Sequence, residues 1–208
     1  MDKLRIFNVL WTSHSGGVSP LNNARTEIFL AGCKMAMNGA PCKDCFNPAL
    51  WDGEKFVAEV TPEEAFQQIE KFAPNKFITF VGGEPLDQIG PLSRLCALLK
   101  ADGYHIIVFT HHTMLKVLAM ERGKSLLNNI HILIDGKYDE TQRIYRDNFG
   151  DGLTDAVGSA NQVIWDCNSE EMRGIAAGDL AGIYVCPDDY SLRYITKEDA
   201  VEELSIAV

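Results

Sequence analysis

Three of the six cysteines fall in one short stretch, Cys33, Cys42 and Cys45, in a C-x8-C-x2-C arrangement. A fold that uses them together must bring a long loop back on itself. The C-x2-C pair sets two thiolates on one tight turn, and Cys33 stands at the end of a predicted strand, Thr26 to Ala31. Three thiolates suit a zinc ion that takes a fourth ligand from elsewhere. They equally suit a [4Fe–4S] cluster with one iron left free of protein. Spacing by itself leans toward zinc, because C-x2-C recurs in zinc sites.

Composition narrows the setting. The apolar stretch after Met1-Asp2-Lys3-Leu4-Arg5 is too short for a signal peptide, so the expected location is cytoplasmic. There, clustered cysteines are metal ligands or catalytic groups rather than disulfides. The formal net charge is −10, with no Lys/Arg cluster, which argues against nucleic acid or an anionic membrane as partner. No apolar run approaches membrane-spanning length. The 208 residues, 46% of them hydrophobic, suit a single domain spanning 1–208, with a core over about 24–186 and a short extension, 187–208.

Apolar patterning predicts alternating strands and helices. Residues 4–11 read as a strand or edge segment, Thr12 to Asn23 as a loop, and Pro48 to Glu59 as irregular. Thr61-Pro62-Glu63-Glu64 is a helix start with a capping box, followed by an apolar face of Ala65, Ile69 and Phe72. Phe77 to Val81 reads as a buried strand. A helix near Pro91 carries Leu92, Leu95, Cys96 and Leu99 on one face and stops at Gly103. His105 to Thr110 is the next strand. Thr113 then caps a helix with Leu115, Leu118 and Ala119 inward, ending before Gly123. Strands follow at Ile130–Ile134, Gln162–Trp165 and, as the last, Gly182–Cys186. A polar segment from Tyr138 to Gly158 intervenes, a short helical piece follows Trp165, and Thr196 caps a terminal helix. Strands apolar throughout suggest a parallel sheet covered on both faces. Ligands gather at the carboxyl ends of such strands. Cys33, Gly82-Gly83-Glu84-Pro85, Thr110 and Asp135-Gly136-Lys137 all stand at such ends.

Five segments in order carry a resemblance: Phe29-Leu30-Ala31-Gly32-Cys33; Cys42 to Pro48 with Trp51-Asp52; Gly82-Gly83-Glu84-Pro85-Leu86; Ile134 to Tyr138; and Gly158 to Gln162. Together, over roughly residues 14–166, they resemble the radical S-adenosylmethionine (radical SAM) enzymes. More closely, they resemble the activases of the anaerobic ribonucleotide reductase type. That family usually spaces its cysteines C-x3-C-x2-C. The longer first gap here lies in Lys34–Pro41, where Asn38-Gly39 favours a turn and added loop length costs little closure entropy.

The resemblance implies an α/β fold, a partial open (β/α)6 barrel with a mostly parallel sheet. It implies that Cys33, Cys42 and Cys45 hold a [4Fe–4S] cluster whose fourth iron binds S-adenosylmethionine. An electron from the cluster then cleaves the sulfonium, and the resulting radical removes a hydrogen from a glycine Cα of a partner. That partner is a glycyl radical enzyme, the large subunit of an anaerobic ribonucleotide reductase, and the electron donor is a flavodoxin or ferredoxin. The implied S-adenosylmethionine contacts are Phe46 beside the adenine, Asn47, Gly82 and Gly83 where the backbone meets the methionyl part, Glu84 at the ammonium, and Pro85 fixing the turn. Asp135 and Lys137 are implied at the carboxylate region, Asn161 at the ribose, and Thr110 as a further contact.

Two rivals stand beside this reading. One is a small-molecule radical SAM enzyme such as 7-carboxy-7-deazaguanine synthase, although that family places Asp-Thr after its third cysteine where Phe46-Asn47-Pro48 stands here. The other is a zinc or iron–sulfur binding module without catalysis. Cys96, Cys167 and Cys186 read as structural. His111 and His112, adjacent on the chain, are expected to point apart, and Met35 and Met37 to pack within their loop.

Overall fold

The structure is a computed structural model. It describes residues 2–13, 24–143, 158–159 and 161–167, and the backbone of two further strands, 182–185 and 192–195. The expected conformations of 14–23 and 144–157, the helical piece after Trp165, the cap at Thr196 and the role of Cys186 lie outside the described residues.

In chain order the elements are β1 (Leu4–Ser13), β2 (Arg25–Leu30), a single helical turn α1 (Lys34–Met37) and β3 (Ala58–Val60). Next come α2 (Pro62–Phe72), β4 (Phe77–Gly82), α3 (Ile89–Ala101), β5 (His105–Phe109), α4 (Met114–Ala119) and α5 (Gly123–Leu127). The strands β6 (Ile132–Asp135), β7 (Val163–Asp166), β8 (Gly182–Val185) and β9 (Leu192–Ile195) complete a nine-stranded sheet ordered β3-β1-β2-β4-β5-β6-β7-β8-β9.

Only the four central strands, β2, β4, β5 and β6, are mutually parallel. β1 and β3 on one flank, and β7, β8 and β9 on the other, pair antiparallel. The mostly parallel sheet expected from the apolar strands is therefore parallel in its centre alone. An apolar strand shows that both its faces are covered and carries no record of its direction. Residues 4–11 lie in a strand, as expected, and β3, formed from the end of the segment expected to be irregular, pairs with its first residues, Leu4–Ile6. β9 follows the strand expected to be last.

The core lies between the sheet and the helices. Leu92, Leu95, Cys96 and Leu99 of α3 are fully buried against Ile78, Phe80, Ile106 and Val108. α2 presents Ala65 and Ile69 inward, whereas Phe72 is about half exposed and lies against Trp11, with ring centroids 5.5 Å apart. In α4 the inward residues are Met114 and Val117, and Leu115 is exposed, contrary to the expected face. The Asp135 carboxylate accepts the Met114 N–H at 2.5 Å, which fixes how this six-residue helix meets the sheet. A second short helix, α5, stands between the expected end of α4 and the next strand, where no element was expected. No helix among the described residues is long and apolar enough to cross a membrane.

The start of α2 is as the sequence implies. The Thr61 hydroxyl accepts the Glu64 N–H at 3.2 Å, and the Glu64 carboxylate accepts the Thr61 N–H at 2.8 Å. Thr61→Ala should lower unfolding free energy by about 1 kcal/mol, read as a lower urea midpoint at unchanged slope. An unchanged midpoint would show that the sheet, and not the cap, sets the end of the helix.

Candidate metal and cofactor site

The carboxyl ends of β2, β4, β5 and β6 meet on one edge of the sheet. Leu30 pairs with Gly82 in the parallel ladder, so the cysteine loop leaves the sheet beside the Gly-Gly turn. Backbone hydrogen bonds bind the two together. Gly83 N–H donates to Leu30 at 3.0 Å, Glu84 N–H to Gly32 at 2.7 Å, and Lys34 N–H to the Asp87 carboxylate at 2.6 Å. From the other side, Gly32 N–H donates to Leu50 at 2.8 Å and Cys33 N–H to Trp51 at 3.1 Å.

This packing explains the two glycines. Gly82 has φ +131°, a conformation L side chains rarely adopt, and a Cβ there would lie 2.3 Å from the Leu30 carbonyl oxygen. On Gly83 a Cβ would lie 2.1 Å from the Gly32 carbonyl oxygen and 2.8 Å from that of Leu50. The space a Cβ would take at either glycine is filled by the chain's own backbone, at Gly83 by the residue next to Cys33.

The three cysteines are free thiols, Cys33 buried and Cys42 and Cys45 half-buried. Each sulfur has a close polar neighbour. Cys33 interacts with the His111 side chain, and Cys42 with the Tyr138 backbone N–H. Cys45 Sγ accepts the Asn47 N–H at 3.4 Å and the Trp51 indole N–H at 3.5 Å. Burial, then the neighbouring Cys45, pushes the Cys42 thiol up, with Lys137 and the Tyr138 N–H opposing.

Among the described residues, the three sulfurs are not gathered within 4.8 Å of one another. Tetrahedral zinc, with Zn–S near 2.3 Å, would hold them about 3.8 Å apart. A cubane would instead take each thiolate on a different iron, which suits a set of three free thiols. The other two described cysteines belong elsewhere: Cys96 is fully buried on α3, and Cys167 lies in the core, its thiol pushed up to about 12 by burial.

One group does converge within 4.8 Å, namely Glu84, His111 and His112. Glu84 is 1% exposed. Its carboxylate accepts from Leu86 N–H (2.9 Å), Thr110 Oγ1 (2.7 Å), His111 N–H (2.9 Å) and His111 Nδ1 (2.6 Å). Those four donors occupy all four lone-pair directions of a carboxylate. Burial opposes the Glu84 charge, yet the bonds from His111 and Leu86 outweigh it and hold the carboxyl below its usual range. His111, despite its own burial, is pushed up to about 10 by its bonds to Cys33 and Glu84. The two are therefore an ion pair at neutral pH, joining the Gly-Gly turn to the end of β5 and to Cys33. The rings of His111 and His112 lie 4.1 Å apart, so these neighbours do not point apart as expected.

The remaining sequence candidates spread over the same rim. Pro85 is buried and opens a short 3-10 turn. Phe46 is 59% exposed, its ring 4.7 Å from Tyr138 and capped by the Arg143 guanidinium at 5.6 Å. Asp135 and Lys137 part company: Asp135 is buried and pushed up to about 7 by that burial, while Lys137 is exposed and faces Cys42. Asn161 donates to the Lys137 carbonyl at 2.7 Å. Met37 is 61% exposed and so does not pack within its loop. Sequence reasoning passed over His111, Trp51 and the Tyr138 N–H as sulfur partners. Trp51 and Tyr138 had a signal, since both belong to segments that carry the resemblance.

Comparison with known proteins supplies an independent line. A stretch of 91 residues is 33% identical to the pyruvate formate-lyase-activating enzyme of Staphylococcus epidermidis (strain ATCC 12228 / FDA PCI 1200), covering 41% of this chain and 34% of the relative. The enzyme of the same name from Staphylococcus aureus (strain USA300) matches equally, 33% over 91 residues. The match thus spans about a third of the length of these relatives. With the family model, these likenesses support a [4Fe–4S] cluster and S-adenosylmethionine as the cofactors. The model of the 4Fe-4S single cluster domain matches residues 22–165, which takes in every rim residue from Cys33 to Asn161 and more than half of the sequence, and the chain therefore belongs to that family.

Proposed function

We propose that the protein is a radical SAM activase that generates a glycyl radical on a partner enzyme, and that the partner is an anaerobic ribonucleotide reductase. The observation that carries this reading is the set of three free thiols at the carboxyl ends of the parallel strands, with the other described cysteines held in the core. The likeness to glycyl radical enzyme activases supports the reaction class. In this reading the chain forms one radical SAM domain with a partial barrel and works in the cytoplasm with a reduced flavodoxin or ferredoxin.

Cys33, Cys42 and Cys45 would hold the cluster. When bound, the cluster and S-adenosylmethionine supply a one-electron cleavage whose product removes a hydrogen atom from substrate. The protein's part is positioning and exclusion of water. The Glu84–His111 pair ties the end of β5 to the turn after β4, so the rim that meets the ligand is rigid. The half-exposed rings of Phe46 and Tyr138 offer an apolar face beside Cys42 and Cys45. Lys137 supplies a positive charge at the same rim.

The test mixes reconstituted protein, S-adenosylmethionine, reduced flavodoxin and the partner reductase under anaerobic conditions. A glycyl radical signal in electron paramagnetic resonance is expected, lost when the partner's radical-bearing glycine is alanine. A radical on pyruvate formate-lyase and none on the reductase would keep the activase and change its partner. Silence on both, with rapid turnover of 6-carboxytetrahydropterin, would move the protein to the small-molecule rival.

A further inference from the structure

The three sulfurs differ in what holds them. Cys42 is met by a backbone N–H, which no substitution removes cleanly. Cys45 alone has a donor on a side chain that takes part in no other described hydrogen bond through that side chain, the indole N–H of Trp51 at 3.5 Å. The backbone of the same residue reaches the other end of the cysteine stretch, where the Trp51 carbonyl accepts the Cys33 N–H at 3.1 Å. Trp51 therefore bridges the first and third cysteines. It follows a 3-10 turn, Pro48–Leu50, whose Leu50 is buried and whose Leu50 carbonyl accepts the Gly32 N–H at 2.8 Å. The indole is thus carried on an anchored segment and is half-buried against the thiol it meets.

We infer that Trp51 is a positioning residue that sets the reduction potential of the cluster through its N–H···S bond to Cys45. Reduction adds one electron, and part of that charge resides on the cysteine sulfurs. A donor aimed at a sulfur stabilises the reduced state more than the oxidised one and raises the potential. Removing the indole N–H makes the cluster harder to reduce. The inference rests on the three cysteines being the cluster ligands; iron and sulfide content reports on that separately from the potential.

The experiment compares wild type, Trp51→Phe and a protein carrying benzothienylalanine at position 51, which keeps the bicyclic shape and replaces N–H by sulfur. Each is reconstituted anaerobically with iron and sulfide and titrated while the reduced cluster is followed by electron paramagnetic resonance. Iron and sulfide content should match wild type in the benzothienyl protein. At a fixed applied potential its reduced-to-oxidised ratio should fall roughly threefold to tenfold, equivalent to about 30–60 mV for a one-electron couple. Pulsed measurements in D2O should show an exchangeable deuteron coupled to the wild-type cluster that both replacements lack. A benzothienyl protein with full cluster content and an unchanged ratio overturns the inference, whatever becomes of Trp51→Phe. If reconstitution fails in wild type too, the ligand assignment fails instead.

Discussion

Replacing Cys33, Cys42 or Cys45 with alanine should, one at a time, reduce bound iron and sulfide after anaerobic reconstitution to background and abolish S-adenosylmethionine cleavage. Each thiolate is expected to hold its own iron, and no described cysteine stands ready to substitute. Cys96 is fully buried on α3, and Cys167 lies in the core with its Sγ 3.7 Å from the Trp165 carbonyl oxygen. Cys96→Ala and Cys167→Ala should therefore keep the cluster and show their effect in stability. Truncating a buried side chain by a single heavy atom removes packing of roughly 1 kcal/mol. Cys186→Ala is expected to spare the cluster as well. The decisive variant is Cys33→Ala. A full cluster in it would mean that the eight-residue gap between Cys33 and Cys42 separates two unrelated features. Metal analysis after purification also checks the zinc alternative, because zinc retained at one per chain, with no sulfide, would contradict the cubane.

The second large effect is expected at Gly83. A valine there carries its Cβ to 2.1 Å from the Gly32 carbonyl oxygen, and the obstacle is backbone that cannot rotate aside. Overpacking a well-ordered interior costs typically 1–3 kcal/mol, and a backbone collision belongs at or beyond the top of that range, at least about 3 kcal/mol. The distortion falls on Gly32, which immediately precedes Cys33 and accepts the Glu84 N–H. Gly83→Val should lower the thermal midpoint and the iron content together. On sequence grounds a side chain here would obstruct only the ligand and leave the cluster whole, and the short distance to Gly32 removes that separation. Circular dichroism melting and iron analysis on the same samples check it. A stable variant with full iron and weakened S-adenosylmethionine binding would restore the simpler expectation.

The contrast at Gly83 marks where sequence reasoning stops. The capping box at Thr61, the α3 face of Leu92, Leu95, Cys96 and Leu99, and the stop at Gly103 were all legible, because each depends on residues within a turn or two of one another. The central strands were legible for a similar reason: a short apolar run bounded by turn residues has few other uses. Their alignment then placed the cysteine loop, the Gly-Gly turn, Thr110 and Asp135 along one edge, since parallel strands put equivalent ends together. Tertiary structure decided the rest. The direction of β7, β8 and β9 depends on how each connection returns, and an apolar pattern reads the same either way. Asp135 and Lys137 look paired on the chain, yet burial draws the first to Met114 and leaves the second beside Cys42. The Glu84–His111 pair joins residues 27 apart, and the Gly83–Gly32 contact bridges a greater separation. No local pattern encodes such meetings. They exist because β2, β4 and β5 lie side by side and bring distant loops within hydrogen-bonding reach.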